Sequence, residues 1–136
     1  MITGGCECGA VRYSAGEEPV VSRVCWCRVC QKIGAGGGTV NAIFKTASLV
    51  IDGVLRNYAS LADSGNRVHR RFCPQCGTHV FSQSEARPHL IVVRAGTLDD
   101  PEIARPAATI WTGSAPSWAC IDPALPKIEG QPPPAA

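Results

Sequence analysis

Phe72-Cys73-Pro74-Gln75-Cys76-Gly77 is a C-x-x-C turn closed by glycine, and the way it is read decides what kind of fold the chain can have. Two thiolates held across such a turn face one ion, and nearby backbone N–H groups can point at the sulfurs. Two further clusters lie upstream. Cys6-Glu7-Cys8-Gly9 is a C-x-C motif. Residues two apart on extended backbone project to one side, so a local bend can aim both sulfurs at a metal about 2.3 Å away. Cys25-Trp26-Cys27-Arg28-Val29-Cys30 places three thiols within six residues. Three thiolates can occupy three corners of a tetrahedron and leave the fourth open, the arrangement that makes zinc catalytic rather than structural.

Spacing leaves two pairings open. Cys27 and Cys30 could join Cys73 and Cys76 in a closed zinc ribbon, with Cys6, Cys8 and Cys25 as a poorer second cluster. Alternatively, Cys6, Cys8, Cys73 and Cys76 surround a closed structural ion, and Cys25, Cys27 and Cys30 an open one. Cys120, the eighth cysteine, has no ligand spacing beside it and is expected to be a small buried hydrophobe.

The 136 residues suit a single domain, and a hydrophobic fraction of 45% against 18% charged residues argues for a packed core rather than disorder. Fourteen glycines and eleven prolines make long helices scarce. No apolar run approaches a membrane span, and Met1-Ile2-Thr3-Gly4-Gly5 lacks the basic and apolar regions of a secretion signal. The expectation is a cytoplasmic protein with no membrane partner, in which crowded thiols stay reduced and serve as metal ligands. A formal charge of +2 becomes about −1 if seven thiolates bind two zinc ions, so charge does not call for nucleic acid.

Short β-prone stretches punctuated by Gly, Pro, Asn and Asp recur along the chain. They predict strands over residues 10–14, 20–24, 39–44, 48–51, 54–58, 67–72, 78–83 and 89–94. Helical turns are expected over residues 28–33 and 99–104. The prediction is a mainly β, antiparallel single domain over residues 1–129, with a few helical turns. A disordered Pro-rich tail is expected over 130–136.

Gly5-Cys6-Glu7-Cys8-Gly9-Ala10-Val11-Arg12-Tyr13, the Cys25, Cys27, Cys30 triplet and Phe72-Cys73-Pro74-Gln75-Cys76-Gly77-Thr78, in that order, resemble the glutathione-dependent formaldehyde-activating enzyme family, which includes centromere-protein-V-like domains. Val93-Arg94-Ala95-Gly96-Thr97-Leu98-Asp99-Asp100-Pro101 and the Ile110-Trp111, Pro116-Ser117-Trp118 and Leu125-Pro126 stretches extend the resemblance to about residues 3–126. The resemblance implies a β-tent fold stabilised by zinc. It also implies the second pairing, with Cys6, Cys8, Cys73 and Cys76 on a structural zinc and Cys25, Cys27 and Cys30 on a catalytic zinc that accepts a thiol. The activity implied is that of a carbon–sulfur lyase or synthase acting on a thiol, glutathione or similar, and a small aldehyde such as formaldehyde. The rival readings are a zinc-stabilised binding module without catalysis and, favoured only by the ribbon pairing, a nucleic-acid zinc ribbon.

Several other residues carry a functional and a plainer reading. Arg67-Val68-His69-Arg70-Arg71 could hold the carboxylates of a glutathione-like thiol or form a solvated strand face. Trp26 could wall off the open site or serve in packing. His69, His79 and His89 are expected to be strand residues rather than ligands, and Gly34-Ala35-Gly36-Gly37-Gly38 a turn. Asp99-Asp100 is expected to form a turn and helix cap. A helix opening at Cys30 would direct N–H groups at the sulfurs.

Overall fold

The computed structural model describes residues 1–135, so Ala136, the last residue of the expected tail, lies outside the described residues. Eleven strands form among the described residues: β1 (Ile2–Gly5), β2 (Arg12–Ala15), β3 (Val21–Cys25), β4 (Thr39–Lys45), β5 (Leu49–Asp52), β6 (Arg56–Leu61), β7 (Arg67–Phe72), β8 (His79–Ser84), β9 (Leu90–Arg94), β10 (Ala108–Ile110) and β11 (Lys127–Ile128). The α-helix α1 spans Arg28–Ile33, as the sequence predicts, and short 3-10 turns include Ala95–Thr97, Pro101–Ala104 and Thr112–Ser114. No helix among the described residues is long and apolar enough to cross a membrane.

The strands form two sheets. β1, β2 and β5 make an antiparallel sheet in the order β1-β2-β5, and the other eight run β11-β10-β3-β4-β9-β8-β7-β6. The protein is mainly β, and its large sheet is antiparallel from β3 through to β6. At the remaining edge β10 runs parallel to both β3 and β11. Parallel neighbours need a long connection, and β10 returns to β3 only after the intervening strands have been built.

Period-two alternation gives the large sheet two different faces. One carries Ala42 and Phe44 of β4, Phe81 of β8, and Ile91 and Val93 of β9, which share a core with Val11 and with Tyr13 and Ala15 of β2. The small sheet therefore covers this face, and Phe44, Phe81, Val80, Val93 and Val11 are fully buried. The opposite face presents the alternate residues: Arg23 lies opposite Asn41, Asn41 opposite Arg94, Ile43 opposite Val92, Val92 opposite Ser82, and Ser82 opposite Arg70. These residues line a cleft of about 200 Å³.

The small sheet is tied to the segment that follows β9. Arg12 forms a bidentate pair with Asp99, at 3.1 and 2.6 Å, and the Thr3 hydroxyl donates to the same carboxylate at 2.6 Å. These contacts hold the Asp99 carboxyl down at about 2. Asp100 caps the Pro101–Ala104 turn by accepting from Glu102 N–H, so the expected turn and cap are present. Gly4 is required by close approach, because a Cβ there would stand 2.3 Å from the Tyr13 hydroxyl oxygen. In the stretch where disorder is expected, Gln131 Oε1 accepts from Trp111 Nε1 at 3.0 Å, and Pro132 is buried.

The Thr97 hydroxyl donates to the Arg94 carbonyl, so the Tyr13 hydroxyl donates to Thr97, at 2.8 Å. Burial pushes the Tyr13 phenol up to about 12 from an ordinary 10. A raised folded-state pKa means that this contribution to stability is intact below about pH 10 and is lost as pH rises through about 12. Urea midpoints measured between pH 8 and 12 should therefore fall more steeply at the alkaline end for the wild type than for Tyr13→Phe. Parallel curves for the two proteins would contradict this.

Candidate metal centres

The hairpin between β7 and β8 builds the first cluster. Its turn is closed by Cys73 N–H to Thr78 O at 3.0 Å and Gly77 N–H to Cys73 O at 2.9 Å. Gly77 adopts φ of 74°, a left-handed conformation that glycine takes without strain. The other half is the turn after β1, where Cys6 N–H donates to Val11 O and Gly9 N–H to Cys6 O. The two turns meet at Thr78, whose hydroxyl accepts from Glu7 N–H at 3.2 Å.

Cys6, Cys8, Cys73 and Cys76 consequently converge, with all four sulfurs within 4.8 Å of one another. Cys6 and Cys8 sulfurs lie 3.7 Å apart, and those of Cys8 and Cys73 3.8 Å. Sulfurs about 2.3 Å from the centre of a tetrahedron stand about 3.8 Å apart, whereas a disulfide needs about 2.05 Å. Val11 N–H points at Cys6 Sγ at 3.2 Å and Gln75 N–H at Cys73 Sγ at 3.4 Å. The Thr78 hydroxyl contacts Cys76 Sγ at 3.2 Å and is the leading influence that brings that thiol down to about 5. An all-sulfur donor set with N–H groups turned toward thiolates fits zinc.

Strand β3 ends at Cys25 and runs into α1. Cys27 is the N-cap of the helix, and its sulfur accepts from Cys30 N–H at 3.4 Å. The helix thus opens at Cys27 rather than Cys30, and the i to i+3 capping geometry brings the two sulfurs together. Cys25, Cys27 and Cys30 are all buried, with their sulfurs within 4.8 Å of one another. Contacts with the Cys25 and Cys27 sulfurs hold the Cys30 thiol well below its ordinary range. Contacts with Cys27 and Cys30, reinforced by burial, push Cys25 up. Three thiols prepared to share anionic charge also fit zinc, and no fourth His, Cys, Asp or Glu joins them among the described residues.

The structure therefore separates the two clusters and does not pair Cys27 and Cys30 with Cys73 and Cys76. Cys120, expected to be buried, is exposed, because the segment after β10 lies over the surface. His69 contacts Asn57 and Glu85, away from both clusters. Trp26 is 6% exposed, and Gly38 leaves room for its ring: a Cβ at Gly38 would lie 3.1 Å from it. Of the basic run, Arg67 pairs with Glu85 and Arg71 donates to Gln83, while Arg70 is buried and lines the cleft beside the three cysteines.

Two features escape the motif reading. Gln31, buried on α1, donates to the Trp26 and Ser114 carbonyls at 2.8 and 3.0 Å, tying the helix to the turn after β10. Arg94, 8% exposed, donates to Asn41 Oδ1 at 2.5 Å and enters the same cleft.

A β domain carrying two cysteine centres, one with four sulfurs and one with three, is the class that fold and site define. Residues 1–114 match the family model described as "Glutathione-dependent formaldehyde-activating enzyme", and the chain belongs to that family. It is similar to a Halomonas elongata protein named "Putative glutathione-dependent formaldehyde-activating enzyme", 26% identical over 129 residues, covering 90% of this chain and 82% of the relative. The fold is similar to the crystal structure of a Rhodobacter sphaeroides protein, with a TM-score of 0.57 and 24% identity over 71% of this chain and 87% of the other.

Gln31→Leu should lower stability by about 1–3 kcal/mol, since it removes the donor to two carbonyls beneath the helix. Urea unfolding of the two proteins measures this. A variant as stable as the wild type would show that the helix is held in place by other contacts.

Proposed function

We propose that the protein is a zinc-dependent carbon–sulfur lyase or synthase that joins a thiol, glutathione or similar, to a small aldehyde such as formaldehyde. The observation that carries this reading is a buried three-cysteine cluster opening onto a cleft, with no fourth protein ligand among the described residues. Cys25, Cys27 and Cys30 would hold a catalytic zinc. When bound there, zinc supplies a vacant position at which a thiol ionises near neutral pH.

The chain's own contribution is to place and shield that position. Cys27 and Cys30 are fixed by the cap of α1, and Cys25 by its pairing with Thr39 in the sheet. Cys25, Cys27 and Cys30 are themselves buried, so the cleft is the route by which a thiol and an aldehyde would reach them. In the synthetic direction a sulfur–carbon bond forms and the carbonyl double bond becomes a single bond. The thiol proton ends on the new hydroxyl, giving a hemithioacetal; the lyase direction reverses each change.

Cys6, Cys8, Cys73 and Cys76 would hold a structural zinc. Such sites supply about 10–16 kcal/mol of apparent binding energy, as much as the net stability of a whole domain. Joining the turn after β1 to the β7–β8 hairpin, this ion would secure the small sheet to the large one. The need for free thiolates at both centres fits the reducing cytoplasm. The charge estimate after metallation leaves nucleic acid without electrostatic support.

Zinc content and folding of two variants test the assignment. Cys27→Ser should lose one of two equivalents of zinc and stay folded, whereas Cys76→Ser should lose the other and unfold at much lower urea. Equal damage from both substitutions, or full zinc in either, would contradict the division of roles. With cobalt in place of zinc, glutathione should change the spectrum of one centre only; a silent titration would favour a binding module that does not engage a thiol.

A further inference from the structure

The cleft beside Cys25, Cys27 and Cys30 gathers four guanidinium groups, those of Arg23, Arg70, Arg87 and Arg94. Arg70 and Arg94 lie at its floor with only 5% and 8% of their surface exposed. A buried charge is normally paired, because removing it from water without a partner costs several kcal/mol. Neither arginine has a carboxylate partner among the described residues. Arg70 donates to the Ser60 hydroxyl, and Arg94 to Asn41 and Thr39, while the Arg94 Nε–H is buried with no acceptor.

Strand register produces this arrangement. Asn41 lies opposite both Arg23 and Arg94, and Ser82 lies opposite Arg70, so period-two alternation turns these positions to the cleft face. Burial, followed by the proximity of Arg94, pulls Arg70 below its ordinary pKa, against the opposing influence of the Cys30 and Cys27 thiols.

The one acidic residue lining the cleft among the described residues is Asp63, whose carboxylate already accepts from Arg28 N–H. Three thiolates around a divalent ion leave one net negative charge. Together with Asp63 this offsets two of the four cations. A ligand thiolate would offset a third, and one cation would remain.

We propose that the arginines of this cleft, with Arg70 and Arg94 at its floor, are specificity residues that read a carboxylate on the substrate thiol and discriminate against neutral thiols. The guanidinium fork suits this role, since it offers parallel donors to the two oxygens of a carboxylate. The proposal rests on the thiol-binding reading of the three-cysteine centre given above.

The test compares 3-mercaptopropionate with its neutral isostere 3-mercaptopropionamide, each titrated into the cobalt-loaded protein and followed by the metal spectrum. The acid should bind about tenfold tighter or more, as expected for charge-assisted hydrogen bonds. Arg94→Met and Arg70→Met should each lower the ratio of acid to amide affinity severalfold, and Arg94→Lys should restore part of it. Equal affinities in the wild type would overturn the proposal, as would variants that weaken acid and amide alike. If the buried variants do not fold, Arg87→Gln carries the same test: a reduced acid-to-amide ratio supports the proposal and an unchanged ratio overturns it. If neither thiol alters the spectrum, the thiol-binding reading fails and the proposal with it. If both bind equally, only the proposal fails.

Discussion

Four sulfurs from two distant turns stand within 4.8 Å of one another, with Cys6 and Cys8 at 3.7 Å and Cys8 and Cys73 at 3.8 Å, too far apart for a disulfide and too close to carry several negative charges without a cation between them. This constraint links the start of the chain to the hairpin between β7 and β8. The small sheet depends on it. Its three strands are short, and beyond the core face they are held by this junction, by the buried Tyr13–Thr97 hydrogen bond and by the Arg12–Asp99 pair. The salt bridge is exposed and contributes little by itself, so the sulfur junction and the shared core bear most of the fastening.

Once one face of the large sheet is covered by the small one, the other face is free to carry chemistry. Alternation then sorts residues without further instruction: Ala42, Phe44, Ile91 and Val93 go to the core, and Asn41, Ile43, Val92 and Arg94 to the cleft. The three-cysteine centre sits at the end of this face because β3 delivers Cys25 there and α1 starts immediately afterwards. Gln31 fixes the helix against the turn that follows β10, so the parallel edge of the sheet contributes directly to the shape of the site.

Much of this was legible in the sequence because its signals are local. Cys73-Pro74-Gln75-Cys76-Gly77 specifies its own turn, and the strands β7 and β4 begin where β-branched and polar residues alternate after glycine or turn residues. The helical turn over Arg28–Ile33 was legible from its place just after the three-cysteine cluster, whereas its cap at Cys27 emerges only in the structure. Strands β1, β10 and β11 were not, being only two to four residues long and defined by their partners rather than by their own pattern. The pairing of the cysteine clusters could not follow from spacing, since it depends on which turns meet in space. Arg70 and Arg94 illustrate the same limit. Each looks like an ordinary strand charge, and only the cross-strand register reveals that both lie buried in one cleft.

Four cysteines would close one ion, and three would hold another with room for a visitor. Anomalous diffraction from crystals of the zinc-loaded protein, recorded on either side of the zinc edge, tests this most directly. Two peaks are expected, one surrounded by the sulfurs of Cys6, Cys8, Cys73 and Cys76, the other touching only those of Cys25, Cys27 and Cys30 on the protein side. A single peak, or a second ion completed by a fourth residue of the chain, would contradict this arrangement.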